Sequence, residues 1–181
     1  IGLKTGEIDR TAEIKKIMVK IVNHCNKLQK AGHKVVLVLG GDIFDKNVPT
    51  EQHIAVLISV FNGIKKYGID TYVIVGNHEA LADPDRLSCL SFIKQIKVGY
   101  PTIKLIEDIT LVRFAETDIG PGCFTFLSHV SNALIAKKVA DKKIPEVVPT
   151  QEYINTKVQR IVQKIDQNAQ HICFSHLNVR G

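Results

Sequence analysis

The chain has 181 residues, 45% of them hydrophobic and 23% charged, which fits one globular domain with an ordinary core and does not fit a disordered or fibrous chain. No apolar run approaches the ~20 residues of a membrane span and no signal peptide opens the sequence, so no membrane association is expected. A net charge of +6 is compatible with a polyanionic partner, although many lysines fall where a solvated helix face would place them anyway.

Residues 10 to 31 have the period of a helix. Ile14, Ile17, Met18, Ile21, Val22, Cys25 and Leu28 recur at three- and four-residue steps, with Lys15, Lys16, Lys20 and Lys27 on the other side and Gly32 as the stop. VVLVL (35–39) follows, apolar at every position, as suits a strand covered on both faces. A second helix starts at Pro49-Thr50 and ends at Gly68, presenting Ile54, Leu57, Ile58, Phe61 and Ile64 on one face. TYVIV (71–75) is another continuous apolar strand, and Arg86 to Lys97 reads as a third helix. IKLIE, ITLVRF and CFTFL are short pieces between turn residues and suggest antiparallel strands. Helices over roughly 131–143 and 150–166 follow, and HICFS (171–175) reads as a closing buried strand. There is no internal repeat, low-complexity segment or linker, so the chain reads as a single α/β domain over 1–181. Ile1 in place of Met, and a stop at Gly181 soon after the last strand, read as an excerpt cut at both ends. Cys25, Cys89, Cys123 and Cys173 form no C-x-x-C pair and read as reduced thiols packed in a cytosolic interior.

Three strands end in polar residues. VVLVL runs into Gly40-Gly41-Asp42, TYVIV into Gly76-Asn77-His78-Glu79, and HICFS into His176-Leu177-Asn178. In a parallel sheet with helical crossovers, the carboxyl ends share an edge where ligands bind. That would gather Asp42, Asn77, His78 and His176. Carboxylate and amide oxygens with imidazole suit Mn, Fe, Zn and similar ions, and such a set fits a two-cation centre for phosphoryl hydrolysis. Each piece also has a plain structural reading. Asp after Gly caps turns, N-H-E opens helices, and a lone His is usually a satisfied, partly buried side chain.

Together, Gly41-Asp42-Ile43-Phe44-Asp45, Gly76-Asn77-His78-Glu79 and the lone His176 resemble the calcineurin-like metallophosphoesterases, whose signature runs D-x-H, G-D-x-x-D, G-N-H-[DE], His, G-H-x-H. GDIFDKNVP followed by a helix is similar to the SbcD-type DNA repair exonucleases and their phage recombination-nuclease relatives, as is a helix led by Arg10-Thr11-Ala12-Glu13. The resemblance implies a metallophosphoesterase-type layered sandwich, with central mixed sheets flanked by helices. It also implies two divalent metal ions, Mn2+ foremost, with Fe, Zn or Mg as alternatives. Asp42 would bridge both ions, and Asn77 and His176 would complete much of the second ion's shell. His78 would stand beside the scissile phosphate, and the Asp45 carboxylate would orient it.

D-x-H and G-H-x-H are absent, and the resemblance places them just outside the two ends, which would leave this excerpt binding metal weakly and turning over little. His129, in FLSHVSN, is a substrate contact or an alternative lone histidine, with His176 preferred because HICFS looks like the better buried strand. Arg180 would touch a DNA phosphate or be a solvated surface arginine. Lys137-Lys138 and Lys142-Lys143 would track a nucleic-acid backbone or form an exposed helix face. His24, His33, His53 and His171 receive no site role. The implied partners are DNA, an SbcC-type SMC-like ATPase and a second copy of the chain, in the cytoplasm of a bacterial or phage-infected cell. The alternatives are a serine/threonine phosphoprotein phosphatase, which also carries G-N-H-E but needs Arg-Gly where Lys46-Asn47 stand, a small phosphodiesterase, and a non-catalytic DNA-binding subunit.

Overall fold

The structure, a computed structural model, describes residues 11–83, 85–117 and 120–176. Two three-stranded sheets face each other, each with helices on its outer side. The first sheet has the order β1 (Val36–Leu39), β2 (Asp70–Ile74), β3 (Ile103–Ile106), all parallel. The second has the order β4 (Thr110–Thr117), β5 (Gly120–Leu127), β6 (Gln170–Ser175), with β4 antiparallel and β6 parallel to β5. This is the α/β layered sandwich with flanking helices expected from the sequence, except that only the second sheet is mixed and the first is wholly parallel.

The strand period of two sorts the side chains into layers. Val36 and Val38 of β1, Tyr72 and Ile74 of β2 and Ile106 of β3 meet Val112, Phe124, Phe126 and Phe174 between the sheets. The Tyr72 and Phe126 rings stack at 4.7 Å there, and burying a ring of that size contributes about 1.5–3 kcal/mol. The alternate residues Leu37, Leu39 and Val73 turn outward, against α1 (Thr11–Lys30) and α2 (Glu51–Tyr67). On the far side, Ile109, Leu111 and Leu127 pack with α4 (Asn132–Ala140) and α5 (Thr150–Val162). The α2 boundaries follow from local chemistry: the Thr50 hydroxyl accepts from the His53 amide, and Gly68 takes the left-handed conformation at φ 63°.

Asp108 ties β4 to both outer helices. Its carboxylate accepts from Tyr153 Oη at 3.0 Å and pairs with Lys138 and Lys157 at 2.8 and 3.3 Å. Burial alone would raise its pKa, but the Lys138 hydrogen bond, the Lys157 and Lys138 charges and the Ile109 amide outweigh it and hold the carboxyl below its ordinary range.

Several sequence expectations need correction. The third helix shrinks to α3 (Phe92–Gln95), because residues 87–89 pair back onto 79–81. Leu81 N donates to Leu87 O and Cys89 N to Glu79 O, so this backbone is committed before a helix can form. IKLIE is not antiparallel: it returns after α3 to lie parallel to β2. On α1 the inward face is narrower than its periodicity implied, with Ile17 and Ile21 exposed. β6 is not a buried strand; among the described residues it pairs only with β5, and Ile172 is 51% exposed. Cys173 is exposed with it, whereas Cys25, Cys89 and Cys123 are buried, and all four are free thiols. Among the described residues no helix is long and apolar enough to cross a membrane.

Candidate metal centre

The carboxyl ends of β1, β2 and β6 meet at one end of the sandwich. They come from both sheets, not from the single sheet that the strand endings suggested. Backbone hydrogen bonds hold these ends together. Val75 N donates to Ile106 O, His129 N donates across the sheets to Val75 O, and His176 N donates to Leu127 O.

At this junction the side chains of Asp42, Asn77 and His176 converge. His176 Nε2 lies 3.1 Å from Asn77 Oδ1 and 3.2 Å from Asp42 Oδ1. The other ring nitrogen, Nδ1, is 2.8 Å from the Gly40 carbonyl oxygen. A carbonyl only accepts, so Nδ1 carries the proton, and in the neutral ring Nε2 presents a lone pair. Three lone-pair donors then face one another: a carboxylate oxygen, an amide oxygen and an imidazole nitrogen. The three atoms need one positive charge between them, which a proton on Nε2 supplies in the ion-free state and a divalent cation supplies when bound. The donor set therefore fits a metal ion. Among the described residues no three His, Cys, Asp or Glu side chains gather around one point; the third donor is the amide of Asn77.

The glycines in the two loops make this approach possible. A Cβ on Gly41, whose φ is +96°, would stand 2.5 Å from His176 Nδ1. A Cβ on Gly76 would stand 2.3 Å from Asp42 Oδ1 and 2.5 Å from Asp42 N. Asp42 itself is left-handed at φ 49°, a conformation that a non-glycine residue adopts only under constraint. Its Oδ1 accepts from the His78 amide at 3.2 Å, so one carboxylate oxygen both receives a backbone donor and faces the two other ligand atoms.

His78 and Asp45 sit beside this set, both about two-fifths exposed. The His78 Nδ1 atom donates to the Asp45 backbone carbonyl at 2.8 Å, while the Asp45 carboxylate is 3.9 Å away. The sequence reading assigned the orienting role to the carboxylate; the main-chain oxygen performs it here. That hydrogen bond leaves Nε2 as the working nitrogen of His78. Phe44 is buried, as expected of a packing residue. It forms part of a cavity of about 330 Å3, with Met18 and Leu57, that gives Asp42 an apolar wall on one side.

His129 is half-buried, and burial with the nearby His176 charge lowers its pKa from the ordinary value, partly opposed by Asp42. Arg180 and Asn178 lie outside the described residues. Of the two lysine pairs, Lys138 is bound to Asp108 and Lys143 to Asp141, so half of that basic quartet is neutralised internally. His53 stacks on Phe44, and His171 bonds Thr125 Oγ1.

The sequence reading gave no role to Glu79. It is fully buried, and its carboxylate accepts three backbone amides: Asp42 and Gly76 on Oε2, both at 2.9 Å, and Phe44 on Oε1 at 2.8 Å. Burial and the Glu79 charge push the neighbouring Cys89 thiol up to about 11, so Cys89 stays protonated. The signal for Glu79 was its place directly after Gly76-Asn77-His78, but nothing in the sequence showed which amides it would meet.

The family model described as calcineurin-like phosphoesterase matches residues 7–176. No curated protein sequence matches the chain.

Proposed function

The chain belongs to the calcineurin-like phosphoesterases, and from that premise we propose that this metal-dependent phosphoester hydrolase is a DNA nuclease cleaving phosphodiester bonds. The observation that carries the site assignment is the approach of Asn77 Oδ1 to 3.1 Å and of Asp42 Oδ1 to 3.2 Å from His176 Nε2. When bound, divalent ions supply Lewis-acid polarisation of the phosphoryl group and ease deprotonation of the attacking water. The chain's own residues do the rest. Asp42, Asn77 and His176 would hold the cation, with His176 aimed by the Gly40 carbonyl. Asn77 would ligate without adding negative charge, which would keep the centre attractive to an anionic phosphate. His78, exposed and held at Nδ1 by the Asp45 carbonyl, presents Nε2 to stabilise charge or to give a proton to the leaving oxygen. The same reading makes Mn2+ the preferred ion, His129 a substrate contact, and an SMC-type ATPase and a second copy the partners, in the cytoplasm.

Support for a nucleic-acid substrate over a phosphoprotein comes from residues 46 and 47. Phosphoprotein phosphatases of this family place Arg-Gly after the second aspartate to grip a phosphate monoester; here Lys46-Asn47 stand there, both exposed. Gly76-Asn77-His78-Glu79 favours the phosphatase as the second reading. Rates on duplex DNA ends, a generic phosphate bis-ester and a phosphopeptide separate the two, using protein expressed from the whole reading frame with Mn2+. Preferential hydrolysis of the phosphopeptide would sink the nuclease proposal.

A further inference from the structure

We propose that Glu79 is a positioning residue for the metal centre: its buried carboxylate fixes where the Asp42 side chain stands. This rests on the reading of Asp42, Asn77 and His176 as cation ligands, and goes beyond it by assigning the constraint that aims them.

The geometry is specific. Asp42 lies at the end of β1 and Gly76 at the end of β2, and the backbone of each donates to the same oxygen, Glu79 Oε2, at 2.9 Å. Phe44 N engages Oε1 at 2.8 Å. One carboxylate thus closes both loops around a single anion, much as successive backbone N–H groups cradle a bound phosphate. Glu79 is itself pinned, because its carbonyl accepts from Cys89 N at 2.9 Å. Asp42 has the positive φ that an aspartate leaves readily when nothing holds it. The Glu79 bond to its amide opposes that relaxation at the main chain, while the His78 amide holds the side chain at Oδ1. If Asp42 relaxes, Oδ1 swings away from His176 Nε2 and Asn77 Oδ1.

An amide cannot replace this carboxylate. Glutamine has the same shape but one acceptor oxygen in place of two, and its NH2 group would face amide hydrogens. Glu79→Gln therefore loosens the Asp42 loop while conserving volume. Ile161→Ala, on α5 at the far side of the second sheet, serves as a control that costs stability without touching the site.

The test compares the unsubstituted chain, Glu79→Gln, Asp42→Asn and Ile161→Ala by Mn2+ calorimetry, and by residue-resolved amide hydrogen exchange in ion-free buffer. Glu79→Gln is expected to weaken Mn2+ binding at least tenfold and to speed exchange at Asp42, Phe44 and Gly76 at least tenfold. Ile161→Ala is expected to leave Mn2+ affinity within threefold and the ratio of these three amides to their neighbours unchanged. Equal Mn2+ affinity in Glu79→Gln and the unsubstituted chain, or an equal loss in Ile161→Ala, overturns the proposal. If Mn2+ binding does not depend on Asp42 at all, the metal reading fails; exchange then decides alone, and unaltered protection in Glu79→Gln overturns the clamp.

Discussion

Replacing Gly76 by alanine adds one methyl group at the tightest point of the junction. The new Cβ would sit 2.3 Å from Asp42 Oδ1, 2.5 Å from Asp42 N and 2.9 Å from Glu79 Oε2, where ordinary contact begins at 3.4 Å. Rotating the Asp42 side chain relieves only the first contact. The second is with main chain, so the two loops must separate by about 1 Å, which stretches the Asp42 and Gly76 hydrogen bonds to Glu79 beyond useful length. Hydrogen bonds to a charged group contribute roughly 1.5–3 kcal/mol each, and overpacking costs about 1–3 kcal/mol. Partial relaxation brings the expected destabilisation to about 3 kcal/mol, enough to lower a urea midpoint by about 1–3 M at the usual slope for a small protein. The separation also carries Asp42 Oδ1 away from His176 Nε2, so Mn2+ affinity should fall at least tenfold. Urea denaturation followed by circular dichroism and Mn2+ calorimetry on the folded variant measure the two effects. A variant within 0.5 kcal/mol of the parent, with undiminished Mn2+ affinity, would refute the steric reasoning.

Because His78 is held by the Asp45 main chain, Asp45→Ala should lower phosphoesterase activity less than tenfold, whereas His78→Ala should lose at least a hundredfold; comparable losses would return the orienting role to the Asp45 carboxylate. Asp108 has a depressed folded pKa, so its stabilising contribution is complete above its ordinary value of 3.8 and fades as pH falls below it. Asp108→Asn should accordingly lower stability by about 3 kcal/mol at pH 7 and flatten the acid limb of the urea midpoint against pH. Cys173 should be the first of the four cysteines alkylated in the native protein, although burial raises its pKa and slows it relative to a free thiol; mass spectrometry after brief iodoacetamide treatment reads the order.

The legible part of the sequence was the part governed by local pattern. Continuous apolar runs marked β1 and β2, Thr50 and Gly68 marked the limits of α2, and polar residues directly after strands marked Asp42, Asn77 and His176. What escaped was set by long-range pairing. Residues 86–91 carry helix-compatible residues, yet bonds from Leu87 and Cys89 to Leu81 and Glu79 hold Ser88 in a bridge to Ala80. The IKLIE segment has no feature that distinguishes a parallel from an antiparallel neighbour. HICFS is apolar enough for a buried strand, and only the arrangement of the second sheet shows it at an edge. His176 was preferred over His129 for that supposed burial; the geometry brings His176 to the cluster through the Gly40 carbonyl instead. The Glu79 contacts were invisible because hydrogen bonds to backbone amides leave no residue-type signature at the donor positions.

His176 approaches the Gly40 carbonyl across 136 positions of chain, and the only backbone bond described between the two sheets at that end joins His129 to Val75. The ligand pocket therefore does not exist in either half of the polypeptide alone. A folding intermediate with only the first sheet formed would carry Asp42 and Asn77 but no imidazole, and would have little grip on a cation. Occupancy then becomes a latch on the docked state: ion added to the finished protein should slow the parting of the sheets, while ion present during early collapse should change little.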